Sequence, residues 1–403
     1  MSSQLLPLSA DLQRLVDEGY EVAFRSNMLL VGVAYVNRRS EIERGFIASS
    51  LETTGEETAS PVNEHTVRFL GATADPEDQP CDSGGQPLTH LMNEPNGPIA
   101  IGKDLVASCG FSQKLPNDQK YADYYEKMTT YANIFLAEVH AIDPTVQLKN
   151  FMPVASDDEH SVHRYFDSAT SLAKIGAVSD KLRGHKVAIV GVGGTGSYIL
   201  DAVAKTAVAE IHLYDADELK SHNAFRAPGA VPLEAFRARP TKVDFHQATY
   251  DQLHSHVVAH PVAIDEQNVD ELTGFQFVFV SIDAGPAKKL IVDTLHRSGV
   301  PFVDTGMGID QTGSSLGGII RSTRVIPGGV DQAWLDENFS YASAEDDVYH
   351  QNIQIAELNM LNAAFAVLAW KKSIGFYRDY RNEVETDYTI DTNLLVSIGL
   401  NDD

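Results

Sequence analysis

The chain has 403 residues, 43% of them apolar and 22% charged, which is enough for two globular domains. Its 56 acidic against 31 basic side chains give a formal charge of −25, which repels phosphate backbones and excludes a nucleic-acid partner in the absence of a basic patch. Two cysteines, Cys81 and Cys109, exclude a disulfide framework and a cysteine-rich zinc site.

No apolar run approaches the ~18–20 residues of a membrane span, so no membrane partner is expected. The opening residues MSSQLLPLSADLQRLVDEGY lack the basic region and apolar core of a secretory signal. A cytoplasmic location is the resulting expectation.

Residues 1–150 read as a smaller α+β domain. Asp11 to Glu18 forms a short helix, and EVAFRSN and MLLVGVAYV form two strands joined by a tight turn at Ser26–Asn27. Further strands are expected at 45–49, 65–71 and within GPIAIGKDLVASCGF, and the loop ADPEDQPCDSGGQP is long and acidic. In this loop Cys81 is expected to be exposed, beside Asp75, Glu77, Asp78 and Asp82, whose charges oppose thiolate formation. A helix over 118–139, carrying Tyr121, Tyr124, Tyr125 and Tyr131, closes the domain and packs its rings into a core or interface.

A polar linker occupies 151–162. Residues 163–403 form the second domain, with a helical lead-in over 163–185. Apolar runs at 187–190, 210–214, 262–264, 277–282 and 301–304 alternate with helical patterns. The fold class is therefore α/β: a Rossmann-like, mostly parallel sheet with helices on both faces. His254, His256 and His260 form an HxHxxxH pattern that reads as a surface helix, because no carboxylate stands at a zincin spacing. The last long helix, over 352–377, is apolar through its middle and so buried.

The chemistry concentrates in KVAIVGVGGTGSYILDAVAKTAVAEIHLYDADELKSHNAFR, residues 186–226. An apolar run meets a turn containing Gly191, Gly193, Gly194 and Gly196. A helix and a second strand ending at Asp215 follow. Glycines let backbone N–H groups approach a phosphate at a helix N-terminus, and an aspartate ending the second strand receives ribose hydroxyls. These features alone leave NAD and ATP equally open.

Beyond them, Asp215-Ala216-Asp217, Asn223 and Arg226, extended by Lys242 and by Asp283 in FVFVSIDAGPAKK, resemble the ThiF/MoeB/ubiquitin-activating-enzyme family of adenylyltransferases. The resemblance covers roughly residues 160–375. It implies an enzyme in which a C-terminal carboxylate attacks the α-phosphate of ATP, giving an acyl adenylate and pyrophosphate. On this resemblance Asp215 is the ribose ligand and Asp217 a further cofactor-binding residue. Asn223 and Arg226 are phosphate and transition-state ligands, Lys242 contacts the phosphates with Arg239 as its alternative, and Asp283 holds Mg²⁺. The implied partners are a small ubiquitin-like protein with a glycine-ending tail, a conjugating-enzyme-like acceptor, and a second copy of the chain in a homodimer.

The chain departs from the family pattern in three places. The glutamine after the arginine is replaced by Ala227. The segment whose second arginine reaches the partner's ATP reads Arg164-Tyr165-Phe166-Asp167-Ser168, so either Arg164 substitutes or that contact is absent. No cysteine lies between Gly110 and Asp403, so the reaction stops at the adenylate or uses Cys81, Cys109, Ser322 or Thr323 as acceptor. Two rival functions remain: an NAD-dependent oxidoreductase on the same unit, and a non-catalytic nucleotide-binding scaffold.

Overall fold

The computed structural model describes residues 9–400 except 55–56, 60, 62–63, 72–77, 95–96, 103–104, 154–160, 166, 168, 171–172, 174, 340 and 342–352. The chain divides into two units, Met1–Gly176 and Ala177–Asp403. Most of the expected linker lies outside the described residues, as does part of the acidic loop.

The first unit begins with helix α1 (Ala10–Asp17) and strands β1 (Val22–Arg25), β2 (Met28–Val36) and β3 (Ile42–Ser50). Ser26 and Asn27, with φ of 50° and 60°, make the two-residue turn whose twist matches a β1–β2 hairpin. Strands β4 (Thr66–Leu70), β5 (Met92–Glu94) and β6 (Cys109–Ser112) complete an antiparallel sheet in the order β1-β2-β3-β4-β6-β5. Two small hairpins, 53–58 and 99–107, stand apart from it.

Helix α2 runs from Tyr124 to His140, six residues later than the sequence suggests. Asp123 decides the start: its side chain accepts from the Glu126 N–H, while the Glu126 carboxylate accepts from the Ala122 N–H. Tyr121, Tyr124 and Tyr131 are buried, and Phe69, Phe111 and Phe135 pack edge to face between sheet and helix. Cys81 is buried rather than exposed. Its N–H donates to the Val36 carbonyl, which draws the loop onto the end of β2.

The second unit is built on β7 (Lys186–Val190), α3 (Gly194–Val203), β8 (Glu210–Tyr214), the short helices α4 (Ser221–Ala224) and α5 (Leu233–Ala238), and α6 (Lys242–Tyr250). It continues through β9 (Val257–His260), β10 (Phe277–Val280), α7 (Pro286–Ser298), β11 (Phe302–Thr312), β12 (Ser315–Val325), α8 (Gln332–Asn338), α9 (Ala356–Ser373), β13 (Glu383–Thr389) and β14 (Leu394–Gly399). One sheet has the order β9-β8-β7-β10-β11-β12-β13-β14. Its first five strands are parallel, and β12, β13 and β14 add antiparallel pairs.

Alternation along the central strands covers both faces. Val187, Ile189, Phe277 and Phe279 pack with α3 residues and with Trp370 of α9, while Ala188, Val190, Val278 and Val280 pack with Ile291 and Leu295 of α7. Each large side chain so buried contributes about 1.5–3 kcal/mol.

Four sequence expectations change here. The strand expected at 262–264 lies instead at 257–260, paired with β8, because Pro261 has no N–H to continue the ladder. The HxHxxxH segment is therefore turn and strand, not a surface helix: His254 is buried against the Val208 carbonyl, and His260 stacks on Tyr214 at 4.3 Å. The described part of 163–185 holds only short helical turns, including Gly176–Ser179, and α9 begins at Ala356.

Candidate functional site

The C-terminal ends of β8, β7, β10 and β11 open onto a cleft of about 530 Å³. This is where an open parallel sheet binds ligands, because helix N-termini and strand-end loops converge there.

The glycine turn forms its floor. Gly191 has φ of 86°, and a Cβ there would lie 2.4 Å from the Ser281 carbonyl oxygen. A Cβ on Gly196 would lie 1.8 Å from the Gly191 carbonyl oxygen, so two passes of backbone touch at this point. Gly194 leaves room for Asn359, whose amide would sit 2.2 Å from a Cβ. Gly193, at the N-cap of α3, differs: a Cβ would meet nothing within 4 Å. No side chain caps α3, so its first N–H groups are available to an anion.

Asp215 follows β8 and is held from several sides. One carboxylate oxygen accepts from the Val192 N–H at 3.0 Å, and the other from the Asp217 N–H at 2.9 Å. Lys242 Nζ lies 3.3 Å from both oxygens and 2.6 Å from Asp217. Its ammonium holds the Asp217 carboxyl below the usual carboxylate range. The start of α6 is itself tied down, with the Lys242 N–H donating to the Asp217 carbonyl and Leu219 N–H to the Pro240 carbonyl. Arg239 pairs with Glu218 at the surface, so of these two cations it is Lys242 that lines the cleft.

Arg226 and Asp283 also line the cleft. The Arg226 carbonyl accepts from Asn359 Nδ2, and Asn359 Oδ1 accepts from the Thr195 hydroxyl. Asn223 is buried just behind, its Oδ1 accepting from the Lys220 N–H at 2.8 Å; it is not among the cleft-lining residues. Asp283 follows β10 by three residues and is exposed. The structure thus gathers Gly191, Gly193, Gly194, Asp215, Asp217, Arg226, Lys242 and Asp283 at one mouth; Gly196 packs against Gly191 without lining the cleft, and Arg164 belongs to the first unit.

Three contributors were not anticipated from sequence. Asn359 and Asn362 are one turn apart on α9 and buried, and Asn362 donates to the Gly306 carbonyl. Two asparagines three apart in an otherwise apolar helix were the available signal. His246, four residues after Lys242, is buried, and the charges of Asp215 and Lys242 act on its ring. The i,i+4 spacing from Lys242 was the only hint.

Cys109 is buried on β6, where burial pushes its thiol up to about 12. Ser322 and Thr323 are buried within β12, the latter donating to Glu385. None of these groups is presented to solvent as an acceptor. Among the described residues no group of three or more His, Cys, Asp or Glu side chains could hold a metal by itself. No described helix is long and apolar enough to cross a membrane.

Residues 167–315 match the ThiF family, and residues 10–168 match a domain of unknown function, DUF6791. No curated protein matches the chain. Solved structures with similar folds include Escherichia coli MccB, 19% identical with a TM-score of 0.46, covering 55% of this chain and 64% of that one. PaaA is 17% identical with a TM-score of 0.44, covering 58% of this chain and 80% of that one. The microcin C7 biosynthetic enzyme MccB in complex with N-formylated MccA is 16% identical with a TM-score of 0.45, covering 77% and 96%. The chain spans just under two thirds of the E. coli MccB chain.

Proposed function

We propose, from the match of residues 167–315 to the ThiF family, that the chain activates a C-terminal carboxylate by ATP-dependent adenylation. The favoured substrate is a small ubiquitin-like protein with a glycine-ending tail. One observation carries the reading: Asp215, Arg226, Lys242 and Asp283 line one cleft with the start of a helix that no side chain caps.

In the proposed reaction a carboxylate oxygen attacks the α-phosphorus of ATP. The bond to the oxygen bridging the β-phosphate breaks, and its electron pair leaves with pyrophosphate. The glycine-turn N–H groups receive phosphate oxygens, and Asp215 accepts from ribose hydroxyls. Arg226 and Lys242 supply positive charge where negative charge builds up.

Among the described residues, the charged side chains lining the cleft are three carboxylates, Asp215, Asp217 and Asp283, against two cations, Arg226 and Lys242. That balance does not neutralise a triphosphate, so a divalent cation suits the site. Asp283 fits the role of its single protein carboxylate, since Mg²⁺ is commonly held by one or two carboxylates plus substrate phosphates. When bound it would supply charge neutralisation. The first unit is proposed to recognise the acyl partner, and a homodimer and a conjugating-enzyme-like acceptor remain part of the proposal.

The test is ATP–pyrophosphate exchange with a small glycine-tailed protein, compared with the same protein amidated at its C-terminus. Exchange with the free carboxylate only is expected, reduced at least about 10²-fold in D283A and R226A. Normal exchange in both variants would sink the assignment. ATP binding without exchange favours the scaffold, and preferential NAD binding favours the oxidoreductase.

A further inference from the structure

The cleft lies at one end of α9, and a second cavity of about 590 Å³ opens at the other. Asn359 lines the first and Lys372 the second, a separation of about 20 Å along the helix axis. Among the described residues the two have no lining residue in common. Helix α9 stops here because Gly375, with φ of 70°, takes the left-handed conformation that ends a helix. The segment from there to β13 supplies Tyr377, Arg378, Asp379 and Asn382, and Arg324 enters from β12.

The charge of this wall is opposite in sign to that of the chain. Among the described residues its cations are Lys181, Arg324, Lys372 and Arg378. Arg324 pairs with Asp379, also in the lining, and Lys372 with Glu383. Four cations against those two carboxylates leave a surplus of two positive charges, within a chain of −25. Lys181 is engaged with the Gly375 carbonyl at 2.6 Å.

Arg324 is 4% exposed, and the one hydrogen bond of its guanidinium among the described residues runs from Nη2 to Asp379 at 2.7 Å. Most of that fork is therefore without a protein acceptor although the side chain is buried. Burying charged donors is costly unless something bonds them, and the cavity is where such a group can enter. Arg378 and the Asn382 amide, both exposed, have no partner among the described residues. Three sets of donors thus face one cavity without acceptors.

We propose that this cavity is a second anion site, which binds the phosphate group of a small molecule. Arg324 is its buried anchor, and Arg378 and Asn382 donate at its mouth. The guanidinium fork matches phosphate and carboxylate oxygens alike. The surplus of two charges favours phosphate, which carries about −1.5 to −2 near neutrality against −1 for a carboxylate. The ring of Tyr377 in the lining, 41% exposed, offers a face for a base. The site is independent of what the cleft binds.

The experiment is calorimetric titration of the full chain with pyrophosphate, AMP and citrate. It is done in R226A, so that the cleft competes less for phosphate. Pyrophosphate or AMP should bind, and adding R378E or R324K should weaken that binding at least about ten-fold. R324K keeps the charge beside Asp379 and removes only the fork. R237E, which reverses an exposed arginine outside both cavities, should change affinity little. AMP binding more tightly than pyrophosphate assigns the base to Tyr377, and equal affinity makes phosphate alone the ligand; both support the site. Absence of binding overturns the proposal, as does binding that R378E leaves unchanged or that R237E weakens equally. Citrate bound as tightly as pyrophosphate overturns phosphate as the ligand class.

Discussion

Lys242 Nζ stands 3.3 Å from both carboxylate oxygens of Asp215, and each of the two side chains is only 9% exposed. The pair is thus desolvated on both sides, and the attraction offsets a burial cost that neither charge meets alone. The K242M variant leaves Asp215 charged in a low-dielectric site. Loss of roughly 3 kcal/mol in urea unfolding is expected, with exchange reduced at least about 10²-fold. Lysine's compact ammonium reaches Asp215 and Asp217 together, so K242R should restore little. Because Asp217 is held below its ordinary range by Lys242, its share of stability is present above pH 3.8 and is lost as pH falls through the lowered value. K242M should lack that share.

The glycines divide into those the fold requires and the one a ligand requires. G196A forces a methyl to within 1.8 Å of the Gly191 carbonyl oxygen, so the β7–α3 connection must move. A stability loss of at least about 2 kcal/mol is expected in denaturant titration. G193A meets no neighbour and should unfold at the wild-type midpoint while binding ATP more weakly, because in the proposed ATP site the added methyl stands in a phosphate's path. Equal effects on stability from both substitutions would contradict this division.

His246 also gives stability a pH dependence. Burial pushes its ring down to about 4 from an ordinary 6.5. On acidification the unfolded chain takes up this proton first, so stability falls as pH drops from 6.5 to about 4 and the loss levels off below that. The whole shift corresponds to something on the order of 3 kcal/mol. H246Q should flatten the stability profile in that window, read by urea midpoints at half-unit steps.

Both cysteines are buried. Native protein should therefore resist alkylation by iodoacetamide, and two labels should appear by mass spectrometry only in denaturant. C81A/C109A should retain pyrophosphate exchange. Loss of exchange in a folded double variant would revive a thiol in the reaction.

Much of the site was legible in the sequence because it is local. The glycine turn, Asp215, Asn223 and Arg226 fall within 36 residues, and βαβ geometry ties them to one sheet edge. Asp283 was legible because it follows an apolar strand. Other features escaped for physical reasons. The eleven-residue strands β11 and β12, with β13 and β14, carry too much polar sequence for an apolar-run criterion. The start of α2 was set by Asp123, a capping effect weaker than the helical pattern preceding it. The exposure of Cys81 was misjudged because an acidic loop sequence gives no sign that its backbone pairs with β2.

By itself the sequence determined the α/β class, the glycine turn and the charged set around it, since hydrophobic period and glycine spacing are properties of neighbours along the chain. Only the tertiary structure decided that Lys242 pairs with Asp215 and that Asn359 bridges Thr195 and Arg226 across more than a hundred residues. Those depend on which helix faces pack against the C-terminal edge of the sheet. Packing of that kind is settled by burial and by the pairing of desolvated polar groups, between residues whose separation in sequence carries no record of their contact.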